Sequence, residues 1–304
     1  MLVFTPDGKS LLTVHSVRGL VLWDAETGDR MHRVLPVLTP EEQRQARLRY
    51  APAISPAISP DGRLVAVENK DGGITIHETA GGAARRVLPS DQQRLSALAF
   101  SPDGRVLASA SSDSTVLLWD LAAPLPGEQA PTGEPTDKDL AGLWSDLASE
   151  DGARVERAVL RLRAAPEQAV PLVRKNLQAA EVPSEEKLAR LIADLDSSSF
   201  KTRKAAGAEL ARLGTRAKAA LERALKGKPS LDVRKRLEDL LQQLEDKPLA
   251  PEQLRLLRGV EVLERIGSPG ARQALEELAR GPKYHPVTED ARAALARLDR
   301  PARR

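Results

Sequence analysis

The sequence predicts two kinds of structure in one chain, an antiparallel β region over about the first 120 residues and an α-helical region after it. Three observations carry this prediction. A Ser/Thr-Pro-Asp-Gly tetrapeptide occurs three times, each time before a run in which apolar residues alternate. A Pro-rich stretch follows the last of these runs. Beyond it, apolar residues recur at helical spacing among many alanines, leucines and arginines.

The three tetrapeptides mark three copies of one structural unit. Proline fixes φ in each of them, and the Asp-Gly pair supports a tight reversal. Seventeen positions after each proline the unit ends on an aromatic residue and an acid. A fixed spacing of this kind is typical of repeat architectures. The signature consists of Pro6, Asp7, Gly8, Trp23 and Asp24 in the first unit, Pro60, Asp61, Gly62, His77 and Glu78 in the second, and Pro102, Asp103, Gly104, Trp119 and Asp120 in the third.

Short strands separated by turn signals are predicted within each unit. They are Leu11–Val14 and Leu20–Trp23, then Leu64–Val67 and Ile74–Ile76, then Leu95–Phe100, Val106–Ala110 and Thr115–Trp119. No outer strand is predicted after Asp120, because the chain turns there into a run of prolines.

These turns, together with 107–111 and 115–120, resemble the WD40 family of β-propellers over residues 2–120. The resemblance implies four-stranded blades. It also implies a turn aspartate six positions before the tryptophan, where the chain has Asp71 and Asp113 but Val17 in the first unit. The family's Gly-His pair is absent from all three units.

Three units are too few to close a propeller, which usually has four to eight blades. An open arc leaves strand edges exposed. We therefore expect the chain to be the C-terminal part of a longer protein that supplies further blades. Closure by another chain, or packing of the arc on the helical region, is the alternative.

An insertion separates the first two units, at residues 36–52. Thr39–Glu42 has the pattern of a helix start, with Thr as N-cap and Pro at the first helical position. Either a short helix on the rim or a binding loop fits this segment.

The domain division predicted from these patterns is 1–120 for the blades, 121–138 for a Pro-rich linker and 139–300 for an α-helical domain. Thr136 with Asp139 is expected to begin the first helix. Further helices are predicted at 153–163, 166–178, 184–195, 200–213, 216–226, 231–244, 252–266, 270–280 and 289–298.

A weak internal repeat occurs in the helical region, because 210–214 resembles 263–267 and each is followed by a similar helix. This resembles HEAT-type α-solenoid units, in which helix pairs stack on their neighbours. The pairing of WD40-like units with such a tail resembles large bacterial WD40-repeat proteins, a resemblance that implies no activity.

The only strong charge bias lies in 201–236, which holds twelve basic and three acidic residues. A solvated face, a docking surface for an acidic protein, and nucleic-acid backbone binding are the possible interpretations. Nucleic acid is disfavoured because Phe200 is the one aromatic residue nearby. The docking residues would be Lys201, Arg203, Lys204, Arg212, Arg216, Lys218, Arg223, Arg234, Lys235 and Arg236.

Motifs for catalysis, metal binding or cofactor binding are not recognisable in this sequence. It has no cysteine and four scattered histidines, and it starts without the pattern of a signal peptide. We therefore predict a non-enzymatic, cytoplasmic scaffold that binds other proteins without a cofactor and without a membrane. A regulatory module of a larger enzyme and weak nucleic-acid binding are the alternatives.

Overall fold

The computed structural model describes residues 2–15, 19–28, 30–33, 55–69, 71–90, 95–124, 134–178, 183–246, 249–282 and 285–299. Within these ranges the chain has eleven strands followed by ten helices. The insertion at 36–52, with its predicted helix start, lies outside the described residues.

The strands form three antiparallel sheets, in which neighbours in sequence are neighbours in the sheet. We call these sheets blades 1 to 3. Blade 1 contains β1 Leu2–Phe4, β2 Ser10–His15, β3 Gly19–Asp24 and β4 Arg30–Arg33; blade 2 contains β5 Ala57–Ile58, β6 Leu64–Glu68, β7 Ile74–Glu78 and β8 Ala84–Leu88; blade 3 contains β9 Leu95–Phe100, β10 Val106–Ser111 and β11 Val116–Asp120. In its described part, blade 3 therefore has three strands.

Blade 2 packs between the other two blades. One of its faces meets blade 1 where Val65 joins the buried Leu12 and Leu22. Its other face meets blade 3, where Ile76 and Leu107 share one apolar cluster. The blades form an arc that is not closed into a ring, as the sequence predicts.

The ten helices lie where the sequence predicts them: the first begins just after Thr136, and the bounds of the other nine differ from the predicted ones by three residues at most. They are α1 Asp137–Asp146, α2 Gly152–Ala164, α3 Pro166–Gln178, α4 Glu185–Asp194, α5 Phe200–Leu213, α6 Thr215–Lys226, α7 Leu231–Asp246, α8 Pro251–Ile266, α9 Pro269–Ala279 and α10 Pro286–Leu298. Polar N-caps account for several starts, among them Thr136, whose side chain exchanges hydrogen bonds with Asp139 in a capping box.

The helices build two separate apolar cores. Helices α1–α3 and α8–α10 share one core, which we call the six-helix unit. Helices α4–α7 share another, which we call the four-helix unit and which interrupts the first in sequence. Leu210 lies in the four-helix core and Leu263 in the six-helix core, so the two copies of the predicted repeat belong to different units. The HEAT-like interpretation stays a prediction.

The helical region contacts the outer strands of the arc. Helix α2 lies against β8, and α7 lies against β4. The first contact is close, because a Cβ atom on Gly152 would lie 2.1 Å from the backbone oxygen of Ala84. Glycine at position 152 thus allows the start of α2 to approach the blade 2 backbone.

Candidate interaction surfaces

The Pro-Asp-Gly turns share one hydrogen-bond pattern. In the first turn the Asp7 carboxylate accepts from the Thr5 hydroxyl at 2.6 Å and from the Lys9 amide at 3.1 Å. Gly8 has φ +71° and donates to the Thr5 carbonyl oxygen at 2.8 Å. The turns around Asp61 and Asp103 repeat these bonds with Ser59 and Ser101 as hydroxyl donors, and Gly62 and Gly104 have φ +74° and +69°. The three aspartates therefore stabilise their own turns by accepting hydrogen bonds within them.

The two tryptophans that end units bond to the preceding strand, and the histidine of blade 2 bonds to the turn that follows it. Trp23 Nε1 donates to the Thr13 hydroxyl at 2.7 Å, and Trp119 Nε1 donates to the Ser109 hydroxyl at 3.0 Å. His77 replaces the tryptophan in blade 2, where its Nδ1 lies 3.0 Å from the Gly82 carbonyl oxygen. Asp24 and Asp120 accept backbone amides of the following turns.

The tight turns before β7 and β11 use different acceptors. In blade 3 the Asp113 carboxylate accepts from the Thr115 amide at 2.9 Å. In blade 2 the acceptor is Asn69, whose side-chain oxygen takes the amides of Asp71 and Gly73. The hydrogen-bond acceptor expected at Asp71 is thus Asn69, two positions earlier, which accepts through its side-chain amide oxygen.

Both ends of the arc expose an apolar sheet face. Blade 3 presents Ala99, Ala108, Val116 and Leu118 on the face away from blade 2, and Leu118 is 72% exposed. Blade 1 presents Leu2, Phe4, Leu11 and Trp23 on the face away from blade 2, and Phe4 is 57% exposed. Large apolar side chains grouped on one face mark interaction sites more often than scattered ones do.

Each open face repeats the chemistry of a face that is buried inside the arc. The open residues of blade 3 occupy the repeat positions of Ala57, Ala66, Ile74 and Ile76, which blade 2 packs against blade 3. The open residues of blade 1 occupy the repeat positions of Leu98, Phe100, Leu107 and Trp119, which blade 3 packs against blade 2. The two ends are therefore complementary in the way that successive blades are.

A buried ion network joins blade 2 to the six-helix unit. The Glu78 carboxylate, at the end of β7, accepts from Arg85 Nη2 at 2.7 Å and from Arg258 Nη2 at 2.6 Å. Arg85 Nη2 also donates to Glu261 at 3.0 Å, and Arg85 Nη1 lies 3.3 Å from Glu156. All five side chains are almost completely buried. Ions removed from water need close, hydrogen-bonded partners, and here the partners come from both regions.

Ionisation of two carboxylates of this network, Glu78 and Glu156, is favoured in the folded chain. Burial alone would raise the pKa of Glu78, but Arg85 and Arg258 outweigh it and lower the pKa to about 2. Burial opposes ionisation of Glu156 as well, and Arg265 and Arg85 lower its pKa below the usual value. Glu78 and Glu156 are thus charged at neutral pH.

A second ion cluster ties one of the Pro-Asp-Gly turns to the helices. Arg63, just after the turn of blade 2, pairs with Glu264 of α8 and with Asp290 of α10, the latter at 2.8 Å. The same guanidinium lies 3.7 Å from Asp61. The turns of Asp7 and Asp103 stay exposed to solvent, so blade 2 alone presents this turn to the helices.

No local sequence pattern predicts this junction between blade 2 and the six-helix unit, because its residues are distant in sequence. Two signals in the sequence mark it: glutamate at position 78, where the other units have aspartate, and the Arg85-Arg86 pair in a strand. The longer side chain of Glu78 reaches the helices, whereas Asp24 and Asp120 bond to their own turns.

The cations of the predicted basic surface fall into two groups: those that bond to other groups of the chain, and those that pair with no acidic side chain in its described part. Six of these side chains bond to partners in the four-helix unit or its connecting turns. They are Arg203 to the carbonyls of Ser197 and Ser198, Arg212 to Glu209, Arg216 to the Leu213 carbonyl, Lys218 to Glu222, Arg223 to Glu185, and Arg236 to Asp232 and the Leu195 carbonyl. The other four, Lys201, Lys204, Arg234 and Lys235, are exposed and pair with no acidic side chain in the described chain.

The described residues form no metal-binding cluster and no membrane-spanning helix. No group of three or more His, Asp or Glu side chains in the described ranges could hold a metal ion. His285 is buried at the start of α10, where burial, followed by Arg216, lowers its pKa. Of the helices described above, none combines the length and apolar character needed to cross a bilayer.

Comparison with known proteins agrees with the arc. Residues 83–120 match the family model "WD domain, G-beta repeat". No curated protein matches the chain. Among solved structures the chain is similar to U3-55K (24% identity, TM-score 0.32), to the RRP9 WD40 repeats (24%, 0.30) and to the β-propeller domain of Cps50 (Swd1) from Myceliophteria thermophila (17%, 0.30).

These likenesses cover part of each protein. They include 40% of this chain in all three cases and 35%, 34% and 36% of the solved structures, so the chain spans about a third of their length. The fold of the described chain is a WD40-like arc of three antiparallel sheets, not closed into a ring, followed by ten helices.

Proposed function

We propose that this chain is a non-catalytic protein-interaction scaffold and the C-terminal part of a longer WD40-repeat protein. One observation carries the proposal: the open faces of blades 1 and 3 repeat, position by position, the two faces that are buried between blades 2 and 3. WD40 domains generally bind other proteins, which fits a scaffold role.

Further blades are the occupants that these faces fit. The open face of blade 1 has the chemistry with which a blade meets its predecessor, as Phe100 and Trp119 do inside the arc. The open face of blade 3 has the chemistry with which a blade meets its successor. Ring closure would bury both apolar faces, because successive blades of a propeller pack face to face.

The proposed domains are blades at 1–120, a linker at 121–138 and a HEAT-like helical domain at 139–300. In this arrangement the helical domain holds the arc rigidly from outside, through the ion network around Glu78 and the close approach at Gly152. An acidic protein surface is the proposed partner of the basic segment 201–236.

The first test is the reading frame upstream of Met1. We expect in-frame Ser/Thr-Pro-Asp-Gly units there, because such a tetrapeptide lies between the first and second strands of every blade of the arc. The longer chain should then be compared with this one by hydrogen exchange. Amides of β1 and residues next to the face of Val116 and Leu118 should exchange more slowly when the further blades are present.

Two outcomes would contradict the proposal. An open reading frame that starts at Met1, with a monomer whose β1 and β11 amides are already protected, would mean that the arc needs no further blades. A stable dimer that Phe4→Ser or Leu118→Ser dissociates would mean that a second copy closes the arc. An upstream catalytic domain would instead support a regulatory role.

A further inference from the structure

Helices α5 and α7 begin with the same side-chain pattern. Each is preceded by a serine, starts with a large apolar residue, and carries Arg-Lys one turn later: Ser199-Phe200 with Arg203-Lys204, and Ser230-Leu231 with Arg234-Lys235. Residues three and four positions apart share a helix face, so each apolar side chain lies beside the cations that follow it. The four-helix unit thus presents the same apolar and basic combination twice.

The two helix starts are held at one end of the four-helix unit. The Ser230 hydroxyl lies 3.5 Å from the Asp196 carboxylate, in the turn that leads to α5. Arg236 Nη1 donates to the Leu195 carbonyl oxygen at 3.0 Å. On the other side of this turn, Arg203 donates to the carbonyl of Ser197 at 2.7 Å. The starts of α5 and α7 are therefore fixed next to each other.

The apolar side chains at this end are unusually exposed. Phe200 is 70% exposed and Leu231 is 84% exposed, although apolar residues elsewhere on these helices fill the core. Arg203 lies 5.9 Å from the centre of the Phe200 ring, a cation–π distance. Neither Phe200 nor Leu231 is needed to build the core, which points to a contact outside the chain.

We propose that this end of the four-helix unit binds an acidic segment of a partner protein that carries apolar anchor residues. Phe200 and Leu231 receive the anchors, and Lys201, Lys204, Arg234 and Lys235 face the partner's carboxylates. We call these six residues the anchor patch. The proposal rests on the scaffold function, but it concerns a surface separate from the open faces of blades 1 and 3.

The side chains of the anchor patch favour a protein segment over nucleic acid. Four exposed cations without acidic partners in the described chain attract any polyanion. Nucleic acid without sequence preference needs several aromatic rings for base stacking, and the patch offers only Phe200. Leu231 gains most from an apolar side chain, which an amphipathic peptide supplies at helical spacing.

The test is titration of the full chain with a fluorescein-labelled, glutamate-rich peptide that carries leucines at helical spacing. A second peptide has serine in place of each leucine. We expect the leucine peptide to bind at least about tenfold more tightly than the serine peptide, since a few buried hydrophobic anchors supply most of the binding energy at protein interfaces. Affinity should fall as salt rises from about 50 to about 200 mM, because exposed charges are then screened.

Matched variants locate the binding. Lys204→Glu with Lys235→Glu should lower affinity for the leucine peptide by at least about thirtyfold. The control pair Lys138→Glu with Lys175→Glu changes net charge equally on exposed positions of the six-helix unit and should change affinity less than about threefold. Phe200→Ser should weaken binding about tenfold, and Leu118→Ser, on blade 3, should leave it unchanged.

The proposal is overturned by equal losses in both charge-reversal pairs, by equal binding of the two peptides, or by a single-stranded oligonucleotide that binds more tightly and displaces the leucine peptide. All substituted side chains are exposed, so unchanged circular dichroism and melting midpoints are expected for every variant. Failure here leaves the upstream reading frame and the open faces untouched, so the two proposals are separable.

Discussion

At the scale of single residues, Glu78 holds the junction between blade 2 and the helices. Glu78→Gln removes the charge that Arg85 and Arg258 share while both guanidinium groups stay buried. We expect a loss of about 3–5 kcal/mol in the free energy of unfolding, because breaking a buried ion pair leaves uncompensated charge. Urea titration followed by circular dichroism measures it.

Glu209→Gln is the matched control for that substitution. Glu209 pairs with Arg212 on the surface of α5, where water hydrates either partner once the pair is broken. The unfolding midpoint of the Glu209→Gln protein should stay close to that of the unsubstituted chain. Equal losses for the two variants would mean that the buried junction adds nothing beyond a surface pair.

A second prediction at this scale concerns Gly152 and rests on steric overlap. Gly152→Ala places a Cβ atom 2.1 Å from the Ala84 backbone oxygen, so α2 must move away from β8. We expect destabilisation of about 3 kcal/mol or more, since overpacking against backbone has no flexible neighbour to absorb it. Thermal unfolding measures the effect.

Gly142→Ala is its control within the same helical region. A Cβ atom on Gly142 meets nothing within 4 Å, and alanine favours the helix by about 0.5–1 kcal/mol. A stabilised Gly142→Ala protein beside an undisturbed Gly152→Ala protein would contradict the close contact between α2 and β8.

At the scale of elements, β7 and β11 occupy the same position in successive blades but differ in burial. Ile76 is 1% exposed under blade 3, whereas Leu118 in the same repeat position is 72% exposed. Ile76→Ala should cost about 2–5 kcal/mol and Leu118→Ala less than about 0.5 kcal/mol in this chain. Equal costs, measured by urea unfolding, would mean that the face of blade 3 is already covered.

The elements also differ in how well the sequence predicts them. Alternation of apolar residues predicts β2, β3, β6, β7 and β9–β11, because those strands bury one face. The outer strands are less regular: β4 reads Arg-Met-His-Arg, and β8 reads Ala-Arg-Arg-Val-Leu. Arginines are buried in β8 because glutamates arrive from α2 and α8, information that no local pattern contains.

At the scale of the whole molecule, the junction makes stability depend on pH. The pKa of Glu78 is about 2 in the folded chain against an ordinary value of 4.5, so its stabilisation is complete above about pH 4.5 and is lost as pH falls toward 2. We expect a loss on the order of 3 kcal/mol over this window from Glu78 alone.

Urea unfolding at several acidic pH values tests this. Tryptophan fluorescence reports on blade 1, blade 3 and α1 through Trp23, Trp119 and Trp144. Glu78→Gln should flatten the dependence between pH 5 and 2, as the titrating group is then absent. Equal slopes in both proteins would show that other carboxylates carry the acid sensitivity.

The whole molecule is only partly predictable. Periodicity and capping residues such as Thr136 predict the order of strands and helices, because those signals are local. Assembly is not local: α8 returns to α2 and α3 across the inserted four-helix unit, and Arg258 reaches back to Glu78. The basic segment was predicted as one surface, and the ion pairs of Arg212, Lys218 and Arg223 reduce its unused cations to the two helix starts.

The span between Glu78 and Arg258 also sets a waiting time during synthesis. The two residues are 180 positions apart, and ribosomes add about 5–20 residues per second, so Arg258 leaves the ribosome about 9–36 s after Glu78. During that interval the Glu78 carboxylate has Arg85 of its own blade as a partner but not Arg258. Blade 2 can therefore reach its final buried state only after α8 has been synthesised.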